Sequence, residues 1–470
     1  MAKILPRLRR RALLALLSRQ TPEKLQRRSR ARLPRVIARA ASRSSAYRLL
    51  LEEAGVEVTA RLSAAQILAS VPVLDKAALF ERFAVRDLLA SGIGPGKLGG
   101  VLTSSGYGGG NFAFGVSSHA QLRQTPDDID MGLQLAFGVD SRSTLLVNCL
   151  PMGVMFTSNA VCVANVSVRE DMALAILRQV GPLFEQVVLC LDPLFSKRLL
   201  DYAAEQSFDW SALRTNVIIG EEMFSEDYRS YLAGRLRVDI DCPGGPMLGS
   251  SMGVGELGLN LFFEIPETIA LRRALHRQSP DTMLPAFFCF NPLRTFVEVL
   301  APGPDGVGDL VVTMLGDDAA FPMIRYRTGD RARWPTAADT ALLESDTRAA
   351  LERQPFPVLA VLGRDRDRID AHWHVDHFKA LLYRDPALAE HLSGAFVATR
   401  EADCLRLDVQ LSRHSTRDTA GVATALAELI GESARRRSAP PPQVHCFAHL
   451  AFPHGMGLDY ERKFRYFPAA

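Results

Sequence analysis

Four short stretches of the chain gather side chains suited to phosphate and carboxylate chemistry. In Thr103-Ser104-Ser105-Gly106-Tyr107-Gly108-Gly109-Gly110-Asn111, three hydroxyls lead into four glycines within eight residues. Glycines let backbone N–H groups converge on an anion, and hydroxyls add donors, so the pair suits triphosphate oxygens. No Gly-Lys-Ser/Thr follows, so this is not a Walker loop, and a flexible glycine turn is the alternative. In Pro322-Met-Ile-Arg-Tyr-Arg-Thr-Gly-Asp330 an apolar strand is expected to end at a carboxylate placed after a glycine. Asp330 can accept both hydroxyls of a ribose, or simply pair with Arg327 at a turn. In Ser250-Ser-Met-Gly-Val-Gly-Glu-Leu-Gly258, Glu256 stands among three glycines. It can share Mg²⁺ with phosphate oxygens or be an ordinary loop acid. In Tyr460-Glu-Arg-Lys-Phe-Arg465, Lys463 is one of only seven lysines among 55 basic residues. On a mobile unit it can reach an anionic transition state and withdraw; on a strand edge it is a tail lysine.

The elements that must hold these residues read as an α/β protein. With 47% hydrophobic and 23% charged residues the composition is that of a globular chain, and 470 residues allow a large core plus a smaller unit. Between about 100 and 330 short strands (143–150, 186–191, 216–219, 237–240) alternate with helices (170–180, 193–206, 225–236), the signature of a parallel or mixed sheet. Strands at 295–300, 309–315 and 323–326 read as more antiparallel, and 355–361 as one more. The glycine-rich loop lies between strand-like 99–102 and 112–116. Earlier, 22–60 and 77–89 read as helix. After Gly363 the texture becomes Arg364-Asp-Arg-Asp-Arg368. Beyond it a helix at 375–383, a hairpin about 402–403, a helix at 416–433 and a strand at 443–447 make a small α+β unit. The organisation expected is a basic arm over 1–40, a large domain with mixed sheets flanked by helices over 41–362, and a small mobile domain over 363–470.

Residues 1–40 hold 13 Lys or Arg and one acid, Glu23, a net +12; the remaining 42 bases and 51 acids give −9. A nucleic-acid protein carries its charge on the folded body, so that class is disfavoured. The arm reads as a solvated helical lead-in, with an anionic membrane surface or a partner as the alternative. No apolar run approaches the roughly 18–20 residues needed to cross a bilayer, and the expected location is cytoplasmic. Seven dispersed cysteines without a Cys-x-x-Cys pair argue against disulfides and zinc, and read as small buried hydrophobes. The cluster His372-Trp-His374-x-x-His377 reads as polar surface rather than a metal site.

Taken together and in this order, the four stretches resemble the adenylate-forming superfamily of acyl-CoA ligases, most of all its phenylacetate–CoA ligase-like branch, over roughly residues 30–467. Val71-Pro-Val-Leu-Asp-Lys76 resembles a phrase of that branch, and Tyr326–Asp330 is the most specific piece. The resemblance implies ATP and Mg²⁺ as cofactors, and CoA as cosubstrate. It implies phosphate binding by Thr103, Ser104, Ser105, Gly106 and Gly109, and an adenine wall at Gly220 and Glu221. Gly253 and Glu256 would face Mg²⁺ and the phosphates, Asp330 and Arg364 the ribose, and Lys463 the adenylation step. Met152, Gly153, Phe156, Met252 and Gly255 would line the acyl pocket, and Arg366 and Asp367 a hinge. The chain departs from the pattern at Gly110 and Asn111, where a lysine is usual, at Tyr107 and Gly108, at Met252 and Gly255, and at Glu461-Arg462 before the terminal lysine. The implied reaction activates a small carboxylic acid, aromatic or small and hydrophobic, as an acyl adenylate and passes it to a thiol, most simply CoA. An amine, a carrier-protein thiol, or a non-catalytic partner-binding role are the alternatives. The assembly state stays open, a dimer included.

Overall fold

Runs rich in Val, Leu, Ile and Phe build one long sheet, and the rest of the chain is arranged around it. The computed structural model describes residues 4–57, 62–103, 112–151, 153–317, 319–402, 404–454, 460 and 463–467. A small antiparallel pair comes first, β1 (Leu98–Thr103) and β2 (Phe114–Ser118). The long sheet then takes β3 (Thr144–Asn148), β4 (Cys162–Asn165), β5 (Gln186–Leu191), β6 (Thr215–Ile219), β7 (Leu248–Val254), β8 (Gly258–Phe263), β9 (Ala286–Phe290), β10 (Thr295–Leu300), β11 (Gly308–Met314), β12 (Tyr326–Arg333) and β13 (Val358–Gly363). Its order is β10-β11-β12-β13-β9-β8-β7-β6-β5-β3-β4.

From β4 to β7 neighbouring strands are parallel, and from β7 to β10 they are antiparallel. β3 and β5 are buried along their whole length, as a parallel sheet covered on both faces requires. Helices Glu170–Gln179, Pro193–Glu205 and Glu226–Leu236 make the crossovers. Asp192 caps the second, accepting from the backbone N–H groups of Leu194 (2.9 Å) and Phe195 (3.0 Å).

A three-stranded sheet follows in the C-terminal unit, β14 (Leu392–Arg400), β15 (Leu405–Leu411) and β16 (Gln443–Phe447), with helices Val375–Arg384 and Thr419–Arg436. It packs on the crossover helices of the parallel half. The Tyr383 ring lies 4.5 Å from that of Tyr228 and 5.2 Å from that of Tyr231, and Phe195 meets Tyr460 edge-on. The architecture is thus α/β, a large mixed sheet flanked by helices with a smaller sheet unit beside it.

Several expectations need correction. Residues 237–240 are not a strand: Arg237 ends the preceding helix with φ +54, and Pro243-Gly-Gly follows, so pairing resumes only at β7. The strand read at 323–326 instead starts at Tyr326 and carries Arg-Thr-Gly-Asp inside it. The helix read over 22–60 breaks at Ser44, whose hydroxyl accepts from the Tyr47 N–H and starts a new helix at Ser45–Glu53. Residues 77–89 split into the turns Ala77–Glu81 and Val85–Leu88. Cys162 and Cys242 are exposed rather than buried.

The basic arm is not a solvated lead-in. Its second helix, Pro22–Arg43, runs past residue 40 and buries Leu25, Leu33, Val36 and Ile37. Arg32 donates to the carbonyls of Leu293 and Leu315, both at 2.6 Å. In the first helix, Ile4–Leu17, Arg10 is buried against Asp130 and Asp140.

One buried ionic knot joins a crossover helix to the centre of the sheet. Arg229 is fully buried between Glu226 (2.9 Å) and Glu264 (3.0 Å). Glu264 in turn accepts from the backbone N–H (2.8 Å) and hydroxyl (2.9 Å) of Ser250 on β7. Truncating one member of such a network leaves its partners charged and dry, at a cost of about 3–5 kcal/mol. Arg229→Ala is therefore expected to lower the urea midpoint sharply, by about that free energy, whereas Arg198→Ala, whose pairs are partly solvated, costs about 1 kcal/mol or less. Equal losses in the two variants would show that the knot is not what holds helix and sheet together.

Candidate active site

In a parallel sheet, the strands' carboxyl ends open a crevice where the chain turns back. Here the crevice is a cavity of about 650 Å³ between the long sheet and the C-terminal unit. Leu150 after β3, the segment after β6, the β7–β8 turn, β12, the end of β13, the helix Val375–Arg384 and the tail at Lys463 all contribute to it.

Asp330 reaches this cavity through an irregularity in β12. Arg327 pairs with Val311 and Arg331 with Asp309, so residues 328–330 face Leu310 alone. Gly329 adopts φ +85, which a side chain would resist, and the bulge re-aims its neighbour. The Thr328 hydroxyl fixes the bulge, donating to the Leu310 carbonyl (3.3 Å) and accepting from the Asp330 N–H (3.2 Å). Asp330 is only 6% exposed. Its Oδ1 accepts from Arg364 Nε at 2.8 Å, while its buried Oδ2 has no hydrogen-bond partner among the described residues. An orphaned buried carboxylate oxygen facing a cavity is costly unless a ligand donates to it.

Glu256 stands in the three-residue turn of the β7–β8 hairpin. The phenol of Tyr326 donates to its Oε1 at 3.0 Å. Burial, reinforced by Glu256, pushes that phenol well above its ordinary value, so it stays a donor. The small β1–β2 sheet presses on the same turn: a Cβ on Gly115 would overlap the Gly255 carbonyl. Thr103, the last residue of β1, lines the same cavity as Glu256.

The third group is cationic and comes from the C-terminal unit. Lys463 donates to the Glu221 carbonyl (2.5 Å). Burial pushes its ammonium down, Glu222 and Glu221 pull it back up, and Arg364 works with burial. Glu221 holds φ +66, and burial raises its carboxyl against the pull of Lys463. Lys379 binds Glu222 (2.6 Å) and lies 4.4 Å above the Tyr466 ring. Its ammonium is raised despite burial, because Glu222 and Asp376 face it. Behind this group the Oδ2 of half-buried Asp192 is itself buried and unpartnered among the described residues. Burial, then the nearby Glu222 and Glu221, push its carboxyl up to about 7.

The cavity thus gathers Thr103, Gly153, Phe156, Gly220, Glu221, Met252, Gly253, Gly255, Glu256, Asp330, Arg364, Arg366, Asp367 and Lys463. Ser104, Ser105, Gly106, Gly109 and Met152 lie outside the described residues, as do Tyr107, Gly108, Gly110, Asn111, Glu461 and Arg462. Met155 is not in the cavity but 63% exposed, and Met247 packs in the core. Of the three histidines only His372 is exposed polar surface: His374 is buried, accepts from the Asp376 N–H through Nδ1 and sets Nε2 3.2 Å from the Arg364 carbonyl. His377, its imidazole pushed down to about 3 by burial and Arg437, accepts from the His374 N–H. No three His, Cys, Asp or Glu side chains among the described residues converge on a metal-sized site.

Tyr326, Lys379 and Asp192 were missed as site residues. Lys379 belongs to the same short set of lysines as Lys463, and Asp192-Pro193 directly follows a wholly apolar strand. Both were visible signals.

No family model matches the chain, and no curated relative does. Solved structures match over nearly the whole chain. A 2-hydroxyisobutyryl-CoA ligase in its postadenylation state, in complex with 2-HIB-AMP, superposes with a TM-score of 0.69 at 16% identity, over 96% of this chain and 90% of that one. The same ligase with CoA in its thioesterification state gives 0.55 at 16% identity, over 96% and 91%. An acyl acid amido synthetase gives 0.55 at 13%, over 98% and 93%. The chain therefore shares the fold of these enzymes. Among the described residues no helix is long and apolar enough to cross a membrane.

The carboxyl of Asp192 yields a pH prediction. Its folded value near 7 stands above the ordinary 3.8. The stability it contributes is full below about pH 4 and declines as pH rises through about 7. Asp192→Asn keeps the helix cap and removes the titration. The melting-temperature difference, variant minus wild type, should grow between about pH 4 and pH 7 and level off above, by a few degrees in all. A difference independent of pH would contradict this reading.

Proposed function

We propose that the chain is an AMP-forming ligase that activates a small carboxylic acid as an acyl adenylate and passes the acyl group to a thiol, CoA before a carrier protein. The single observation that carries the reading is Asp330. One oxygen is fixed by Arg364 and the other is buried and unpaired, in the cavity that also receives Glu256 and Lys463. A ribose supplies the two hydroxyl donors such a carboxylate lacks.

In the first half-reaction a carboxylate oxygen of the acid attacks the α-phosphorus of ATP, and the α,β P–O bond breaks to release pyrophosphate. Two anions must approach while charge grows on phosphorus. Lys463 is placed to offset that charge, and its burial strengthens the interaction by excluding water. Glu222 and Glu221 oppose the downward pull of burial on its ammonium. Thr103 faces the terminal phosphates, and Gly220 and Glu221 flank the adenine. Leu150, Gly153, Val154, Phe156 and Met252 form an apolar wall for the acyl chain, which favours a small hydrophobic or aromatic acid. Glu256 is the carboxylate suited to Mg²⁺, which takes few protein ligands plus phosphate oxygens and would supply charge neutralisation there.

In the second half-reaction the thiolate attacks the acyl carbon and AMP leaves. Lys463 must then withdraw. Residues 363–470 are proposed to rotate on the body about Arg366 and Asp367, which lie in a single 3-10 turn. The present orientation, with Lys463 inside, agrees with the higher similarity to the postadenylation arrangement. An amine acceptor is the second reading, favoured by the likeness to an acyl acid amido synthetase.

Acid-dependent exchange of labelled pyrophosphate into ATP, screened across small carboxylic acids with Mg²⁺, tests the first step. Exchange is expected with at least one acid. Lys463→Ala should lower it by about 10²–10³ without changing the melting temperature by more than a degree or two. Product analysis with CoA, amines and carrier protein then separates the acceptors. No exchange with any acid would point to a non-catalytic, partner-binding chain. Undiminished exchange in the variant would remove Lys463 from the chemistry.

A further inference from the structure

The N-terminal helix Ile4–Leu17 has two faces, and only one is used by the fold. Its inner face is Arg10, Leu14 and Leu17, at helical spacing. Arg10 is 6% exposed and pairs with Asp130 and Asp140, and Leu17 and Leu14 pack with Met131, Phe263, Ile265 and Phe356. The helix is thus fastened to the body. Its outer face carries Leu8, Ala12, Ala15 and Leu16, the i, i+4, i+7, i+8 pattern of an apolar stripe. Leu8 is 59% and Leu16 60% exposed. Arg7, Arg11 and Arg19 stand exposed beside this stripe, and the next helix adds exposed Lys24, Arg27 and Arg28. Asp130 and Asp140 are buried on the inner side; beside the outer face stand Glu23 and Asp127, which pairs with Arg9 at 3.2 Å.

Two leucines held in water and ringed by arginines call for a partner that is apolar inside and anionic outside. A nucleic acid would use the arginines, but it would leave Leu8 and Leu16 hydrated and meet the −9 charge of the rest of the chain. A second copy would cover the leucines but bring two +12 segments together. An anionic lipid surface satisfies both needs: the leucines enter the acyl boundary and the arginines meet the headgroups. The opposite net charges of residues 1–40 and 41–470 also turn the correct side toward such a surface. We propose that the outer face of Ile4–Leu17, with the basic edge of the helix after it, is a docking surface for anionic phospholipid bilayers. The chain then works as a peripheral membrane protein.

The test is vesicle sedimentation of the full chain. Vesicles of phosphatidylcholine with about a third phosphatidylglycerol should pull the protein down at about 0.1 M salt, and release most of it at about 0.5 M. Vesicles of phosphatidylcholine alone should bind weakly. The double change Leu8→Glu with Leu16→Glu should lower the bound fraction about tenfold or more. Because both side chains face solvent, the melting temperature should not move. Arg7→Gln, Arg11→Gln and Arg19→Gln together should weaken binding only to the anionic vesicles. The proposal is overturned if neither vesicle binds. It is equally overturned if the glutamate variant binds as well as the wild type, or if duplex DNA binds as tightly at the same salt. Self-association of the wild type that the glutamate variant abolishes, without vesicle binding, would assign the leucines to a second copy instead.

Discussion

The structure depends on neutralising a set of carboxylates that the sheet gathers in one place. The end of β6, the bulge inside β12 and the β7–β8 turn bring Glu221, Glu222, Asp330 and Glu256 to the same crevice, with Asp192 behind it, and each charge removed from water costs several kcal/mol unless it is paired. The cations that answer them, Arg364, Lys379 and Lys463, all lie beyond β13. Docking of the C-terminal unit is therefore an electrostatic requirement of the body as well as an apolar contact through Tyr383 and Tyr460. The one carboxylate oxygen of Asp330 left without a donor then becomes informative. With its other oxygen held by Arg364, the unmatched buried oxygen of Asp330 marks where a ligand belongs.

The proposed two-step reaction would need Lys463 to leave the crevice before the second step. Outside the crevice, Asp281 gathers arginines 384, 436 and 437 of the C-terminal unit through its side chain and carbonyl. These contacts are polar and partly exposed, so they are weak individually and can be exchanged for another set. An interface made wholly of buried aromatic packing would resist rotation far more.

Much of the fold is legible in the sequence because the signals are local. The apolar runs 186–191, 295–300 and 443–447 are strands at those very bounds, and the alternation from 143 to 219 gives the parallel half. What escapes depends on partners distant in the chain. Residues 237–240 have strand-like composition, yet a left-handed Arg237 ends the helix there. The strand at Tyr326–Arg333 is hidden by its charges and its glycine, because the bulge that aims Asp330 is fixed by Leu310, eighteen residues earlier. The arm over 1–40 reads as solvated from its charge. Only the structure reveals Asp130, Asp140 and the carbonyls at 293 and 315 that absorb part of it. In the crevice, Asp330, Arg364, Glu256 and Lys463 were readable as motif residues; Tyr326 belongs to the same motif but its bond to Glu256 joins distant parts of the chain, and Lys379 and, behind the crevice, Asp192 act through contacts that no motif records.

The most direct measurement is calorimetric titration of the full chain with ATP and Mg²⁺, for the wild type and for Asp330→Ala. The account predicts binding by the wild type and a loss of about tenfold or more in affinity for the variant, since a buried carboxylate accepting ribose hydroxyls contributes roughly 1.5–3 kcal/mol. Wild-type protein that does not bind adenine nucleotides, or a variant that binds them equally well, would contradict it.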